Sequence, residues 1–437
     1  MTDRTRTDID RRSTSAAVAL EADLCVVGAG MSGVACAVTA ARLGRRVALL
    51  DAAPWVGGQA VGVPIGTIAG LFSCGPREDQ RLLSPLFGEE LVRRLEVRTA
   101  AWPMYSRRAR TLIVVYDEVD LERVFETTLI DAGVRIVPGA VVEAVERAGD
   151  RVTVVSCATR FGPLTVQAPL FVDASGDAVL SWLAGAPYRV SDPPVYGTQM
   201  AVLEHVEFPA EEDATAIARR AEELLQTYAD HYGLTRRESR VFLLPQRGLA
   251  ILNATHLPTP LHPVAFWEAA WPARAEAERA TQLLRDQYPS VFGRARLRRL
   301  GSPGIRQTRT IVGRTRLTAG DVLAGRRFPD AIARAAWPVE LHDSATDYRW
   351  QPLPDGHLYT IPYGALLPAE LSNVLAIGRC IDADPVALSS ARVMGPCAAM
   401  GVAAAHAADL ALLSGRDFAT VDVASLQQRL APNLGED

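Results

Sequence analysis

The sequence predicts an α/β protein whose central sheet is parallel. An apolar strand, Leu24–Val27, is followed directly by an alanine-rich helix that ends near residues 43–44. A second apolar strand at residues 46–50 comes next and leads into Asp51. Strand, helix and strand in this order form a βαβ unit, in which the helix crosses over and the two strands run parallel.

Length and composition indicate a globular chain of two or three domains. The 437 residues are 49% hydrophobic and 22% charged, which is enough to bury a large core. The formal net charge of -4 gives no reason to expect a concentrated basic face, so we expect neither a nucleic acid nor a membrane surface as partner. All 46 basic residues are arginine. The absence of lysine excludes Schiff-base chemistry and the P-loop lysine.

The cysteines favour neither a metal site nor a redox dithiol. They lie at positions 25, 36, 74, 157, 380 and 397, without C-x-x-C or metal-ligand spacing. We therefore predict no metal, and reduced thiols in a cytoplasmic protein. Residues 1–21 are predicted to be a disordered polar tail rather than a twin-arginine signal, because their apolar run is too short. No run of about 18 apolar residues follows, so we expect no membrane span.

Three glycines stand between the first strand and the helix. Gly28, Gly30 and Gly33 complete G-x-G-x-x-G, which allows a tight turn and a close approach of a phosphate to the backbone. The positive end of the helix then faces the pyrophosphate. Asp51 lies about 20 residues further on, where an acid binds a ribose. The pattern predicts an adenine dinucleotide, either NAD(P) or FAD.

Four further segments separate these alternatives. A second glycine pair, residues 57–58, occurs where an NAD domain would continue its sheet. Residues 134–142 are an apolar strand, and residues 170–177 are a strand that ends in a turn of small residues. Residues 378–401 contain two motifs and the start of an alanine-rich helix. FAD is long and buried, so a protein that binds it contacts it from several such segments.

These segments resemble the flavoprotein family that has the glutathione-reductase-type FAD fold. The chain is most similar to a subfamily of FAD-dependent oxidoreductases with the motifs G-I-R-x-T-R, G-R-C-I-x-A-D and R-V-M-G, here residues 304–309, 378–384 and 392–395. The resemblance covers residues 22–410 and is loose over residues 188–290.

The resemblance implies FAD as cofactor and a Rossmann-like FAD-binding domain, discontinuous at residues 22–187 and 358–412, in which a parallel sheet is joined by a β-meander. Residues 188–357 would form an inserted α+β substrate or cap domain, and residues 413–437 a C-terminal tail. The start of the last helix would place N–H groups beside the flavin, where negative charge develops on reduction. The residues assigned to FAD are Gly28, Gly30, Met31, Ser32, Gly33, Asp51, Ala52, Gly57, Gly58, Gln59, Val142, Ser175, Gly176, Gly378, Arg379, Asp384, Arg392, Met394, Met400 and Gly401.

The predicted reaction is a two-electron oxidation of a small organic substrate by hydride transfer to flavin N5, with oxygen or another acceptor taking the electrons. The chain has no second G-x-G-x-x-G and no dithiol, so disulfide reduction is not expected. An NAD(P)H-dependent flavin monooxygenase and a non-catalytic FAD-binding protein are the alternatives. An arginine-only composition is associated with GC-rich bacteria, in which such enzymes often serve specialised-metabolite biosynthesis.

His342 is the preferred catalytic base, because it matches a histidine often present there in the subfamily and imidazole titrates near neutral pH. A packed core histidine is the alternative. Arg306 and Arg309 suit recognition of an anionic substrate, or ion pairs with acids such as Asp321.

Three further side chains are candidates near the flavin ring. Tyr359 and Tyr363 could line the ring face or simply pack. Cys74 could pack, react or tether the flavin.

Overall fold

The computed structural model describes residues 18–99, 103–192 and 194–435. Its strands are β1 (Val18–Glu21), β2 (Leu24–Val27), β3 (Val47–Asp51), β4 (Thr67–Ile68), β5 (Pro103–Ser106), β6 (Thr111–Val115), β7 (Arg135–Pro138), β8 (Val141–Ala148), β9 (Arg151–Thr159), β10 (Gly162–Gln167), β11 (Leu170–Asp173), β12 (Tyr188–Val190), β13 (Ala201–Glu204), β14 (Arg240–Leu244), β15 (Leu249–Asn253), β16 (Arg296–Leu300), β17 (Arg309–Ile311), β18 (Ala331–Ala335), β19 (Val339–Leu341), β20 (Arg349–Gln351), β21 (Tyr359–Pro362) and β22 (Val374–Ala376). Its helices are α1 (Met31–Arg42), α2 (Gly58–Gly62), α3 (Pro85–Thr99), α4 (Glu118–Asp131), α5 (Val179–Leu183), α6 (Ala214–Thr227), α7 (Pro263–Gln287), α8 (Pro289–Phe292), α9 (Ala319–Leu323), α10 (Pro385–Ala391), α11 (Met394–Ser414), α12 (Val423–Arg429) and α13 (Ala431–Leu434).

The central sheet is parallel, in the order β22-β11-β2-β3-β7. It confirms the predicted α/β class and its Rossmann-like arrangement. The predicted strand at residues 134–142 is two strands, because Gly139 adopts φ +72° and turns the chain between β7 and β8. These two strands belong to different sheets.

A second sheet has the order β1-β10-β9-β8, and β8, β9 and β10 form an antiparallel meander. Strand β1 pairs in parallel with β10, and Val18 lies opposite Leu164. The prediction of a disordered tail up to residue 21 is therefore wrong for its last four residues, which join a backbone ladder and bury Leu20. The rest of that predicted tail, residues 1–17, lies outside the described residues.

An antiparallel sheet, β14-β15-β13-β16, lies within the predicted cap region. It shares an apolar cluster with residues of α6 and α7. Strand β13 ends at Glu204, because His205 adopts φ +59° immediately after it. Helix α6 begins at Ala214, where the Asp213 side chain accepts from the N–H of Ala216.

Helix α11 packs closely against α1. A methyl group on Gly401 would lie 2.2 Å from the carbonyl oxygen of Ser32. By length and composition α11 could cross a membrane, which the sequence did not lead us to expect, but 72% of its apolar window is buried inside the protein. A core helix has the same properties.

The chain beyond α11 is also packed. Leu426 and Leu430 are fully buried in the main apolar cluster, and the buried side chain of Asn433 accepts from the N–H of Leu86. The predicted C-terminal tail at residues 413–437 therefore contains two helices, α12 and α13, that pack on the core, because their apolar side chains have a partner surface there.

Candidate active site

A cavity of about 510 Å³ adjoins the carboxyl edge of the parallel sheet. Its walls come from the turns after β2, β3 and β11, from the segment that precedes β13, and from strands β14 and β15. Cavities of this size and composition commonly hold a cofactor or substrate.

The glycine turn after β2 forms one wall. Gly28 adopts φ +105°, and a methyl group there would lie 2.3 Å from the carbonyl oxygen of Ala174. A methyl group on Gly30 would meet no heavy atom within 4 Å, because it would point into open space. Among the described residues no side chain caps the N-terminus of α1, and Met31 and Ser32 of its first turn line the cavity. This wall suits a phosphate group, which the free N–H groups and the helix dipole would bind.

Asp51 lies in the cavity wall at the end of β3. Its carboxylate accepts from the N–H of Ala29 at 2.5 Å and from that of Ala53 at 2.7 Å. Burial raises the pKa of Asp51, and these two N–H groups act in the opposite direction. The two bonds hold the carboxylate in one orientation, which suits recognition of vicinal hydroxyl groups.

Two arginines bring donors to the same cavity. The Nη1 atom of Arg379 and the Nε atom of Arg392 are buried and have no hydrogen-bond partner among the described residues. Buried donors are normally satisfied, so these atoms indicate that a bound group completes the site. These arginines and the glycine turn offer hydrogen-bond donors, and Asp51 offers an acceptor. Together they fit an adenine dinucleotide with its pyrophosphate.

Gln59 links the second glycine pair to the G-I-R motif. Its side chain donates to the carbonyl of Ile305 and accepts from the N–H of Ile305, both at 2.9 Å. The second glycine pair is therefore fixed against the G-I-R motif. The predicted FAD residues that line the cavity are Gly28, Gly30, Met31, Ser32, Asp51, Gly57, Gly58, Gln59, Ser175, Gly176, Gly378, Arg379, Arg392 and Met394.

The other predicted FAD residues are not part of the cavity wall; they are Gly33, Ala52, Val142, Asp384, Met400 and Gly401. Gly33 and Gly401 serve close packing, since a methyl group on Gly33 would lie 1.8 Å from the carbonyl oxygen of Gly28. Asp384 caps α10 through the N–H of Ala387 at 2.8 Å and accepts from Ala319 at 2.6 Å. Both of its carboxylate oxygens therefore have protein partners.

The far end of the cavity is aromatic, which the sequence did not reveal. Its rings belong to Phe242, Trp337, Tyr348 and Trp350. The centroids of Trp337 and Trp350 lie 6.1 Å apart, edge to face. The guanidinium of Arg108 lies 5.0 Å from the ring centre of Tyr348 and 4.7 Å from that of Trp350. These residues are far apart in sequence, so no local pattern brings them together.

Arg306 lines the cavity and Arg309 does not. The Nη1 atom of Arg306 donates to the carbonyl of Tyr196 at 2.8 Å, and no described carboxylate forms an ion pair with it. Burial, with the charges of Arg392 and Arg236, holds the pKa of Arg306 well below its usual value. An anion bound beside it would relieve this cost.

Arg309 lies outside the cavity, with its guanidinium 4.1 Å from the ring centre of Trp182. Asp321, the alternative partner for these two arginines, pairs with Arg326 at 2.8 Å instead. Only the first of the two predicted anchors is therefore placed to contact a substrate.

His342 is fully buried and lies behind the cavity wall. Its Nδ1 atom is 2.9 Å from Nε2 of His256, and its Nε2 atom is 3.3 Å from Oε1 of Glu340. Burial, followed by the charges of Arg306 and Arg236, holds the pKa of His342 well below its usual value. The expected base therefore has no direct access to a substrate, because Glu340 stands between it and the cavity. The sequence signal for Glu340 is a lone acid in the short apolar strand β19.

Tyr359, Tyr363 and Cys74 are also buried away from the cavity. The hydroxyl of Tyr359 is 2.7 Å from Oγ of Ser390, and that of Tyr363 donates to the carbonyl of Phe418 at 3.0 Å. Burial raises the pKa of the Cys74 thiol. The three side chains are therefore positioned to pack in the interior, which was the alternative prediction for each of them. Among the described residues no group of His, Cys, Asp and Glu is arranged to hold a metal ion.

The family comparison covers almost the whole chain. The model of the family described as FAD dependent oxidoreductase matches residues 23–430. No curated protein matches the chain in sequence.

Several solved structures are similar over most of the chain at low identity. A geranylgeranyl bacteriochlorophyll reductase-like protein from Thermoplasma acidophilum is 11% identical, with a TM-score of 0.48 over 95% of this chain and 84% of that one. The anhydrotetracycline hydroxylase OxyS from Streptomyces rimosus is 14% identical, with a TM-score of 0.46 over 95% and 66%. The myxobacterial chondrochloren halogenase CndH is 14% identical, with a TM-score of 0.45 over 95% and 79%. These similarities do not bear on what this chain acts on.

The family match extends over both motif-rich ends of the chain and over the region between them. The cavity described above carries residues from the same stretches, and its donor set fits the cofactor of that family. The protein is an FAD-binding enzyme that belongs to the FAD-dependent oxidoreductase family.

Proposed function

We propose that this enzyme oxidises a small, planar, anionic organic substrate by two electrons. The observation that carries the proposal is the continuity of the cavity, in which the glycine turn and Asp51 share one space with the aromatic rings and Arg306. When bound, FAD supplies an acceptor for a hydride from a substrate C–H bond. Membership of the subfamily with the three motifs is part of this proposal, because Gly304, Gly378 and Arg392, one from each motif, line the same cavity.

The chain would hold the cofactor through backbone groups and fixed charges. Gly30 leaves room for the pyrophosphate at the N-terminus of α1, and Asp51 presents a carboxylate to the ribose. Arg379 and Arg392 offer buried N–H groups that lack protein partners.

The substrate would lie among the aromatic rings. Trp337, Tyr348 and Trp350 give flat apolar walls that favour a planar molecule. Arg306 would bind its anionic group, because a guanidinium without a carboxylate partner attracts an anion strongly in a poorly hydrated cavity. The same walls exclude water from the reacting carbon.

The test begins with the purified protein. Denaturation should release FAD, and a panel of aromatic carboxylates that carry an alcohol or amine group should contain a compound that bleaches the bound flavin without oxygen. Protein that neither contains nor takes up FAD would contradict the proposal. Rapid bleaching by NADPH alone, before any substrate is added, would instead favour the monooxygenase alternative.

The remaining parts of the proposal concern the setting of the reaction. We propose oxygen or another soluble acceptor as the oxidant, a cytoplasmic location, and a role in specialised-metabolite biosynthesis. Rapid reoxidation of the reduced enzyme by air, followed at the flavin absorbance, would support oxygen as the acceptor.

A further inference from the structure

A chain of three polar contacts leads from the cavity wall into the core. Oε1 of Glu340 is 3.3 Å from Nε2 of His342, and Nδ1 of His342 is 2.9 Å from Nε2 of His256. Nδ1 of His256 is 3.1 Å from the carbonyl oxygen of Ala345. Of these groups only Glu340 lines the cavity.

The number of protons in this chain follows from its chemistry. Three hydrogen bonds need three protons, and the carbonyl of Ala345 can only accept. Two neutral imidazoles carry one N–H each, which makes two. The third proton must come from a protonated Glu340 or from one imidazole in its charged form. Without it, a lone pair of His342 faces a carboxylate oxygen.

The surroundings decide where that proton is held. Burial, followed by the charges of Arg236 and Arg306, lowers the pKa of His256 to about 2. The same arginines, with Arg392, act on His342. Positive charge on either ring is therefore disfavoured, so a third proton that enters this chain of contacts is held by Glu340 and not by an imidazole.

Charged and neutral groups both surround Glu340. The buried guanidinium groups of Arg306, Arg236 and Arg392 interact with the carboxyl group of Glu340 through their charges, although none forms an ion pair with it among the described residues. The bare Nε2 atom of His342 favours its protonated form, which alone can donate to it. Two aromatic side chains also contact this pair, since Tyr348 stacks on His342 with centroids 4.6 Å apart, and Trp337 Nε1 donates to Oε2 of Glu340 at 3.2 Å. Two further cations, Arg108 and Arg240, lie beyond Tyr348.

We propose that Glu340 is the proton acceptor of the substrate reaction, and that His342, oriented by His256, is the positioning residue that receives the hydrogen bond of protonated Glu340. This inference rests on the proposed oxidation. The substrate would be an alcohol or an amine. Its O–H or N–H bond breaks, the electron pair stays on the heteroatom, and an O–H bond forms on Glu340. The adjoining carbon gives up its hydrogen as hydride to FAD, so two electrons and two hydrogens leave the substrate.

The first experiment measures the proton directly in the holoenzyme without substrate. The infrared C=O band of a protonated carboxylic acid is followed against pH in the wild type and in Glu340→Gln. Glu222, whose pKa burial raises to about 7, would add its own band, so both proteins carry Glu222→Gln. We expect a titrating band that Glu340→Gln lacks. His342→Leu should retain that band but move its midpoint to lower pH, because the protonated form loses its acceptor.

Absence of such a difference band throughout the pH range in which the protein is folded would overturn the proposal. An unchanged midpoint in His342→Leu, with folding verified by circular dichroism, would remove His342 from it. Both results are independent of catalysis, so they stand apart from the fate of the proposed oxidation.

The second experiment uses a substrate found by anaerobic bleaching. Glu340→Gln should keep its FAD and reduce it about 10²–10⁴-fold more slowly, and the fall in rate at low pH that protonation of Glu340 causes in the wild type should be lost. Arg309→Gln, outside the cavity, is the control and should react like the wild type. Bleaching by Glu340→Gln at the wild-type rate would overturn Glu340 as the acceptor and leave the oxidoreductase proposal intact. If no compound bleaches the wild type, the oxidation fails, and the infrared result still decides the proton count.

Discussion

A methyl group on Gly58 would lie 2.8 Å from the Cα atom of Gly30, so the two glycine motifs meet at one end of the cavity. Gly58 adopts φ +52°, and Gly57 before it adopts φ +104°. Conformations of this kind favour glycine. The contact brings the start of α2 against the start of α1, and it explains why a second glycine pair follows the first motif by about 25 residues in a site built for a long cofactor.

Gly30→Val should abolish FAD binding without unfolding the protein. A side chain there enters open space, and Gly30 has φ −74°, which any residue adopts. The methyl groups would occupy the position proposed for the pyrophosphate. Flavin content per protein and the thermal midpoint check this together. Gly28→Ala is the contrasting variant, because its methyl group would meet the backbone of Ala174 at 2.3 Å and should reduce stability as well. A yellow, fully loaded Gly30→Val protein would contradict the site.

Asp51→Ala should weaken FAD retention by roughly 1–3 kcal/mol, about 5- to 150-fold in Kd, because the ribose hydroxyls lose a buried acceptor. The change also removes the partner of the Ala29 and Ala53 N–H groups, so its effect on stability must be measured separately. Asp51→Asn keeps one acceptor oxygen, so its affinity for FAD should lie between that of the wild type and that of Asp51→Ala. Fluorescence titration of each apoprotein with FAD gives the three dissociation constants. Equal affinity in all three proteins would place the ribose elsewhere.

The glycine turn and Asp51 could be predicted because they are local in sequence. The turn from β2 to α1 and the acid at the end of β3 follow from one βαβ unit. The aromatic end of the cavity could not be predicted, since Trp337, Tyr348 and Phe242 meet only through tertiary packing. A motif match singles out His342 in the sequence. It does not predict that the residue is buried or that it contacts Glu340, because both depend on the fold.

Packing also explains why some of the predicted FAD residues do not line the cavity. Gly401 matches a motif near the flavin, yet its neighbour is the backbone of Ser32. Asp384 follows a glycine-containing turn, yet its carboxylate caps α10. A motif marks the segment that approaches a cofactor, and only the contacts of each side chain show which residues touch it.

Arg306→Gln should raise the KM or Kd of an anionic substrate by about 10- to 150-fold, the range for losing a charge-assisted hydrogen bond of roughly 1.5–3 kcal/mol. The glutamine removes a buried charge that has no carboxylate partner, so the protein should remain folded. Arg309→Gln belongs to the same motif but lies against Trp182, and it is the matched control. Substrate titration monitored by flavin absorbance compares them. Equal affinities for the two variants would show that Arg306 is not the anchor.

Glu222→Gln should stabilise the protein at neutral pH and remove part of its pH dependence. Burial raises the pKa of Glu222 from an ordinary 4.5 to about 7, although its carboxylate accepts from the N–H of Val241 at 3.0 Å and pairs with Arg240 at 3.2 Å. The folded state therefore binds a proton that the unfolded chain releases between these two values. The contribution of protonated Glu222 to the free energy of unfolding is fully present below pH 4.5. It is lost as the pH rises through 7, by up to about 1.4 kcal/mol per pH unit.

The glutamine cannot ionise, so the difference in unfolding free energy between variant and wild type should grow across that window and then level off. Arg240 keeps Glu238 as a partner at 2.9 Å, and is not left as an unpaired charge. Urea unfolding at a series of pH values measures the difference. Two parallel stability curves would mean that Glu222 titrates alike in the folded and unfolded chain, and that its ion pair with Arg240 fully offsets its burial.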